Sequence, residues 1–351
     1  MVGRLIWGLN QLKLGKNSAL PKVSVIVAAR NEEQHLPDCL AALISQDYPA
    51  ELLEIIIIDD RSTDRTGQII TQYASQYKII KPVAINVHQV SASPKKKALA
   101  CGIFKATGEI LIFTDADCIP PPTWVAEIVK YFDPDVSLVI GFSPLVSPRK
   151  TIWSGIIWLD SLAAAAVAAA GIGLGTAITG NGRNLAYTKK IYQEVNGFRA
   201  IESVLSGDDD LFLHQVRTKI PTRIRYCFSP GAIVPARQIH ELRAFLKQRR
   251  RHLSAGAKYP FKIKVGYLLF HSTNLIIFSL FFISLFTNKY LIFGCVGLIC
   301  KFCIDWAFLQ KFSRRMNYAS PLKYFFWWEC FFVLFNSIIG PTAFVGKIQW
   351  K

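Results

Sequence analysis

Acidic residues are scarce in this chain. Its 351 residues hold 24 Asp and Glu against 41 Lys and Arg, a formal net charge of +17. From Arg243 to Lys264 there are eight basic residues and no acidic one, and from Gly266 to Phe286 no charged residue at all. The second run is long enough to cross a bilayer, which takes about 20 apolar residues in a helix. Nucleic-acid binding, which the net charge alone would permit, is disfavoured because the basic residues gather beside this apolar run. A basic stretch next to a membrane segment is the footprint of anionic lipid and of the cytoplasmic side.

Other absences narrow the class further. No Gly-x-Gly-x-x-Gly follows the first apolar strand, which disfavours a dinucleotide fold. Of eight cysteines only Cys300 and Cys303 lie close in sequence, with no second pair and no histidines beside them, so zinc is not expected. Met1 to Lys16 has neither a long apolar core nor a small-residue cleavage site, so no signal peptide is expected. This stretch should form a short amphipathic surface helix or stay disordered. The globular part is then expected in the cytosol.

Apolar material is concentrated toward the C-terminus. Tyr290 to Leu309 and Tyr324 to Val345 are two further candidate spans, the first carrying Lys301 and Asp305, the second Glu329. Lys301 and Asp305 are four apart and should pair on one helix face, which lowers the cost of insertion. Gly340-Pro341 is expected to break or shorten the last segment. The links carry a topology. Lys311, Arg314, Arg315 and Lys323 place the second connection in the cytoplasm, and the short Thr287-Asn288-Lys289 loop suits the far side.

From Val23 to about Ile140, strand and helix signals alternate. Val23 to Val27, Glu54 to Ile58, Ala84 to Val90 and Ile110 to Thr114 read as strands. Asn31 to Ile44, a segment capped by Ser62-Thr63-Asp64 and running through Tyr77, and Lys96 to Ala106 read as helices. This alternation implies a parallel sheet with right-handed crossovers. Ligands of such sheets bind beyond the carboxyl ends of the strands.

Those ends are charged. Arg30 and Glu32 follow the first strand, Asp59 and Asp60 the second, Asp115 and Asp117 the fourth; Lys95, Lys96 and Lys97 open the intervening helix. Unpaired charge is expensive to bury, so the Asp115/Asp117 pair asks for a cation. Mg²⁺ or Mn²⁺ prefers oxygen ligands and often sits between carboxylates and a diphosphate. Together the residues describe a crevice with carboxylates for a base or ribose, cations for phosphate, and a metal pair.

The ordered motifs resemble those of family 2 glycosyltransferases of GT-A fold. They are Val23 to Glu32, Ile58 to Asp64, Thr114 to Asp117, Thr179 to Tyr187, Glu194 to Phe198 and Ser206 to Leu211. The resemblance implies a mixed α/β sheet flanked by helices, followed here by C-terminal transmembrane helices. The implied division is a surface segment 1–21, a cytosolic catalytic domain 22–240, a basic interfacial segment 241–264 and a membrane region 265–351 with about three hydrophobic helices. It also implies roles. Ala28, Arg30, Glu32, Asp59 and Asp60 would hold the nucleotide, with Lys95, Lys96 and Asp115 also on the donor. Asp115 and Asp117 would bind the diphosphate through Mg²⁺ or Mn²⁺, and Asn181 and Asn184 would face the acceptor. An aspartate of the later acidic cluster would be the base. Three consecutive aspartates cannot all point into one site; from the spacing Asp209 is the first choice and Asp208 the second, with Asp210 structural at a helix N-terminus.

Gln248-Arg249-Arg250-Arg251-His252 resembles the Gln-x-x-Arg-Trp signature of processive synthases in the family. Gln248 and Arg251 match, and Arg251 suits a diphosphate. His252 replaces the tryptophan and puts processive synthesis in doubt. Ile152 to Ile178 is apolar, but Asp160 interrupts it, and it lies between donor and acceptor motifs. It reads as a helix plus a glycine-rich loop, Gly171 to Gly180, not as a span. The expected protein is an inverting glycosyltransferase of a cell's inner membrane. It would move a sugar from a nucleotide sugar, with a UDP-sugar expected, to a lipid-linked or glycan acceptor, with membrane lipids as further partners and no nucleic acid. The alternatives are a processive polysaccharide synthase and a non-catalytic subunit that binds nucleotide sugar.

Overall fold

The computed structural model describes residues 1–85, 93–238, 241–287, 290–318 and 322–342, the last five of these as backbone only. The strands are β1 (Val23–Ala29), β2 (Leu53–Asp59), β3 (Ile80–Ala84), β4 (Ile110–Asp115), β5 (Val136–Gly141), β6 (Leu145–Val146), β7 (Leu185–Thr188), β8 (Arg223–Cys227) and β9 (Ala236–Arg237). The helices are α1 (Val2–Asn10), α2 (Leu36–Ile44), α3 (Thr66–Gln76), α4 (Pro94–Lys105), α5 (Trp124–Val129) and α6 (Ile152–Gly173). They continue with α7 (Lys189–Glu194), α8 (Asp210–Lys219), α9 (Leu242–Ser254), α10 (Phe261–Thr287), α11 (Leu291–Arg315) and α12 (Phe325–Thr342).

Seven strands form one mixed sheet in the order β3-β2-β1-β4-β7-β5-β8. The first four run parallel, and β7 enters antiparallel between β4 and β5. β1, β2 and β4 are nearly continuous runs of buried Val, Ile and Leu, as expected for strands covered on both faces. The third strand differs from its expected place. It lies at Ile80–Ala84, because buried Ile80 pairs with Ile55 of β2, and Pro82 is tolerated on this edge strand. The expected stretch Ala84 to Val90 falls mostly outside the described residues. The first helix also starts later than Asn31. Asn31 takes a left-handed φ of 55° and turns its side chain to the Thr63 amide, so α2 begins at Leu36.

α1 is a helix packed on α6 and α11, with Leu9 fully buried; it is neither disordered nor loose on the surface. Three described helices are long and apolar enough to cross a membrane: α6, α10 and α11. They are not equivalent. α6 is 67% buried, whereas α10 and α11 are each 11% buried and expose Leu280, Phe282, Ile292 and Phe293. α6 is held inside the protein by α1, α11 and α12, in keeping with its reading as a helix of the folded domain. It ends at Gly173, and the glycine-rich loop follows.

The last apolar segment is α12, whose described backbone is helical through Gly340 and Pro341 to Thr342; the rest of the expected segment, 343–345, lies outside the described residues. Lys301 pairs with Asp305 at 2.8 Å, and Glu329 of α12 also meets its ammonium. The isolated charges of the two apolar segments thus compensate one another in one buried cluster.

Candidate active site

The parallel register brings the acidic ends of the strands side by side. Asp59 of β2 lies opposite Ala29, and Asp115 of β4 opposite Ala28, so β1 is flanked by a carboxylate on each side. The loops after β1 and β2 are stitched together. The backbone amides of Asn31, Glu32 and Glu33 donate to Ser62 Oγ, Thr66 Oγ1 and Asp64 Oδ2 at 2.8–3.2 Å. Asp59 accepts from the Ser62 amide at 3.0 Å, and buried Asp60 pairs with Arg61 at 2.8 Å. Ala28, Arg30 and Glu32 are partly exposed at this edge.

Lys95, in the first turn of α4, is the centre of the site. Its Nζ lies 2.9 Å from Asp115 Oδ1 and 3.0 Å from Asp208 Oδ2. One ammonium thus joins the D-x-D motif to the distant acidic cluster. Burial works against the Lys95 charge, but Asp115 and Asp208 outweigh it and hold its pKa above the usual value. Burial likewise opposes the Asp115 charge, and Lys95 reverses this and holds that carboxyl below the usual range. Asp117 is left on the other side of the balance: burial and the Asp115 charge push its pKa up. A small pocket here is lined by Lys95, Leu99, Thr114, Asp115, Gly182 and Asp208.

Gly182 lies close to the acids and the ammonium. A Cβ there would stand 3.3 Å from the Asp208 carboxylate and 3.6 Å from Lys95 Nζ. Its amide donates to Asp209 Oδ2 at 2.9 Å, while Asp209 Oδ1 accepts from the Asp210 amide at 2.7 Å as the N-cap of α8. Both Asp209 oxygens are therefore engaged by backbone. Asp210 is buried, accepts from the Leu211 amide at 2.8 Å and contacts the Tyr259 hydroxyl. Gly207 precedes the cluster at φ +87°, where a side chain would be strained.

α9 packs beside the site. Arg249 pairs with Asp160 of α6, which explains the lone acid in that apolar helix. Burial lowers the Arg251 pKa, while Asp115 and Asp208 act on it in the opposite sense, which places its guanidinium within their field. His252 is exposed on α9, and partial desolvation with the neighbouring Arg251, Arg249, Arg183 and Lys95 charges lowers its pKa. Gln248 is partly exposed on the same helix.

Two expected contacts are corrected. Lys96 does not face a donor phosphate. It is buried, and its ammonium donates to Val204 O at 2.6 Å, Ser206 O at 2.7 Å and Ser93 Oγ at 3.3 Å, which anchors the loop before the acidic cluster. Asn184 does not face an acceptor. It is fully buried, its amide donating to Phe142 O and Ala232 O at 2.9 and 2.8 Å and its oxygen accepting from Trp124 Nε1 at 3.0 Å. Asn181 stays partly exposed and caps its own turn, with Oδ1 accepting from the Arg183 amide.

Arg183 has no role assigned from its sequence position. It is braced by Ser143 through Nε at 3.1 Å and Nη2 at 3.3 Å, and its charge offsets both Asp115 and Asp117. The two glycines before it in Gly180-Asn181-Gly182 are the signal for a backbone that approaches a ligand closely.

Comparison with known proteins agrees with this architecture. The glycosyl transferase family 2 profile matches residues 24–173. The probable glycosyltransferase YdaM of Bacillus subtilis is 28% identical over 333 residues, 94% of this chain and 76% of that protein. An N-acetylglucosaminyltransferase of Bradyrhizobium elkanii is 36% identical over 140 residues, 38% of this chain and 72% of that protein. The mannosyltransferase PcManGT of Pyrobaculum calidifontis, solved in complex with GDP-Man and Mn²⁺, shares the fold with a TM-score of 0.54 at 19% identity, over 97% of this chain and 91% of that one. The chain belongs to glycosyltransferase family 2, with the GT-A fold.

Proposed function

We propose that this family 2 glycosyltransferase moves a sugar, with inversion, from a nucleoside-diphosphate sugar to an acceptor at the cytoplasmic face of an inner membrane. The donor read from the motifs is a UDP-sugar carrying a hexose or N-acetylhexosamine, and the acceptor is lipid-linked or a membrane-proximal glycan. The observation that carries this is the Lys95 bridge between Asp115 and Asp208. It joins the D-x-D motif to the later acidic cluster beyond the carboxyl end of β4, the position where α/β ligands bind, which supports one crevice for donor and acceptor.

Asp59, Asp60, Ala28, Arg30 and Glu32 line the base and ribose end. Lys95, Arg183 and Arg251, with Gln248 beside it, face the diphosphate; guanidinium and ammonium groups stabilise the charge that grows on it as the sugar leaves. Asp115 and Asp117 would hold Mg²⁺ or Mn²⁺ with oxygens of the diphosphate. The fit is chemical: an all-oxygen pair whose second member is disfavoured as an anion until a cation arrives. Such an ion would neutralise charge on the departing diphosphate.

The base takes the acceptor proton. Asp209 and Asp208 are the candidates, and geometry favours Asp208. Its carboxylate faces the pocket and the Lys95 ammonium, whereas both Asp209 oxygens are spent on backbone amides. A base must keep an oxygen within reach of the proton it removes.

Membrane attachment is read from α10 and α11, which expose their apolar sides. The C-terminal end of α11 touches the catalytic domain: Arg315 lies 4.7 Å over the Phe228 ring, and Phe312 packs on Phe142 and Tyr226. The basic link after α11 therefore belongs on the catalytic side, as its charge predicts.

The test is a panel of nucleotide sugars, UDP-linked and GDP-Man included, screened by thermal shift and donor hydrolysis with and without Mn²⁺. A single metal-dependent responder is expected. Absence of any response across the panel, with folded protein, would refute the reading, and a thermal shift without donor hydrolysis or transfer would favour the binding-subunit alternative.

A further inference from the structure

Four residues, Tyr259, Asp210, His214 and Tyr267, meet where α10 joins the catalytic domain. Tyr259 ends the turn after α9 and directly precedes Pro260 and α10. Its hydroxyl donates to Asp210 Oδ2 across 49 residues of chain. Its ring stands edge-on to His214 of α8 at 4.7 Å and 6.2 Å from Tyr267 of α10. His214 in turn meets Ile178 O at 2.9 Å, in the glycine-rich loop. One side chain thus touches the acidic loop and a membrane helix directly, and reaches the glycine-rich loop through one neighbour.

We propose that Tyr259 is a positioning residue that ties the placement of α10 to the geometry of the Asp208–Asp210 loop. The inference rests on the acidic loop acting in sugar transfer, as proposed above. Asp210 needs such a tether. It is buried beside Asp209, and burial and that neighbouring charge both raise its pKa. Of its oxygens, Oδ1 is held by the Leu211 amide and Oδ2 by Tyr259. Without the hydroxyl, Oδ2 is left in a buried place, and the loop has reason to turn outward. Asp208 and Asp209 would turn with it, since they precede Asp210 directly after the left-handed Gly207. The Lys95 bridge and the Gly182 contact would loosen together.

The experiment uses the full chain in lipid nanodiscs. Tyr259→Phe keeps the ring contacts with His214 and Tyr267 and removes only the hydroxyl. Amide hydrogen exchange at residues 207–211 should quicken by about tenfold, the upper scale of one ordinary lost hydrogen bond, with α10 amides unchanged. Donor affinity should fall less than the transfer rate, since Asp115 still holds Lys95 and Arg183 keeps its brace on Ser143, and the transfer rate should fall by about tenfold. In an Asp210→Asn background the same substitution should add less than its effect alone, because the two act through one contact. Unchanged exchange at 207–211 would overturn the tether. Faster exchange with normal transfer would overturn its role in positioning. If wild-type protein transfers no sugar from any donor, the exchange measurement still decides the tether, and the failure lies with the proposed function.

Discussion

The sharpest prediction distinguishes Asp208 from Asp209. In Asp208→Asn the carboxylate that faces the pocket becomes an amide that cannot accept the acceptor proton. Loss of a general base costs about 10²- to 10⁴-fold in rate, equivalent to roughly 2.7–5.5 kcal/mol of transition-state stabilisation. The folded state should lose much less. Asp208 is one of two carboxylates on Lys95, and Asp115 remains at 2.9 Å, so no buried ammonium is stranded. The cost should stay below the about 3–5 kcal/mol of breaking a buried pair outright. Asp209→Asn has the opposite signature. Asparagine is a good N-cap, but its amide can offer only one acceptor oxygen where Asp209 serves both Gly182 and Asp210. One backbone amide then faces an NH₂ group, worth about 1–3 kcal/mol. That variant should melt earlier and transfer at a rate reduced only modestly. Donor affinity by calorimetry, transfer rate and thermal midpoint, measured on both variants, test this. A dead Asp209→Asn beside a working Asp208→Asn would assign the base to Asp209. Normal transfer in both would leave the acidic loop structural and refute the catalytic reading.

Asp117→Asn should abolish the Mn²⁺-dependent part of nucleoside-diphosphate affinity and leave the metal-free part unchanged; equal Mn²⁺ dependence in wild type and variant would remove Asp117 from the metal site. Asn184→Ala should unfold the protein more readily by about 2–5 kcal/mol, because three buried partners lose their hydrogen bonds at once; a full-strength midpoint in denaturant titration would contradict its core role. Tyr290→Cys is expected to react with an impermeant thiol reagent added to intact cells and Arg314→Cys to be protected, both side chains being exposed at opposite ends of α11; the reverse pattern would invert the topology.

What could be read from sequence was chemistry attached to a strand end. Asp59, Asp115 and Asp117 follow apolar runs, and the fold puts them where the runs stop. What could not be read was the direction of neighbouring side chains. Lys95 and Lys96 are equivalent in sequence, but one step along a helix turns a side chain by about 100°. Lys95 reaches Asp115 and Asp208, and Lys96 turns to Val204 and Ser206. Asn184 misled for a related reason. Its motif is rich in polar and glycine residues, which suits a ligand loop, but β7 starts at the next residue and carries Asn184 into the core. The pairing of Asp210 with Tyr259 has no local signature, because it depends on where α10 returns to the domain. Helix ends and β3 shifted for local reasons, the left-handed turn at Asn31 and the Ile80 pairing with β2.

The burial of α6 connects these observations. An apolar helix of 22 residues invites a membrane assignment, and its single acid would then be costly. In the folded chain that acid is Asp160, paired with Arg249 of α9. α9 carries Arg251 into the field of Asp115 and Asp208, and the turn after it carries Tyr259 to the acidic loop. The pair therefore ties α9 to α6 beside the site. The basic charge of α9 then serves two purposes that composition alone cannot separate. Arg249 and Arg251 are turned inward, one onto α6 and one toward the acids, while Arg243 and Lys247 stay exposed. Only the outward set can meet anionic lipid, so neutralising Arg243 and Lys247 should weaken binding to anionic vesicles and spare donor affinity.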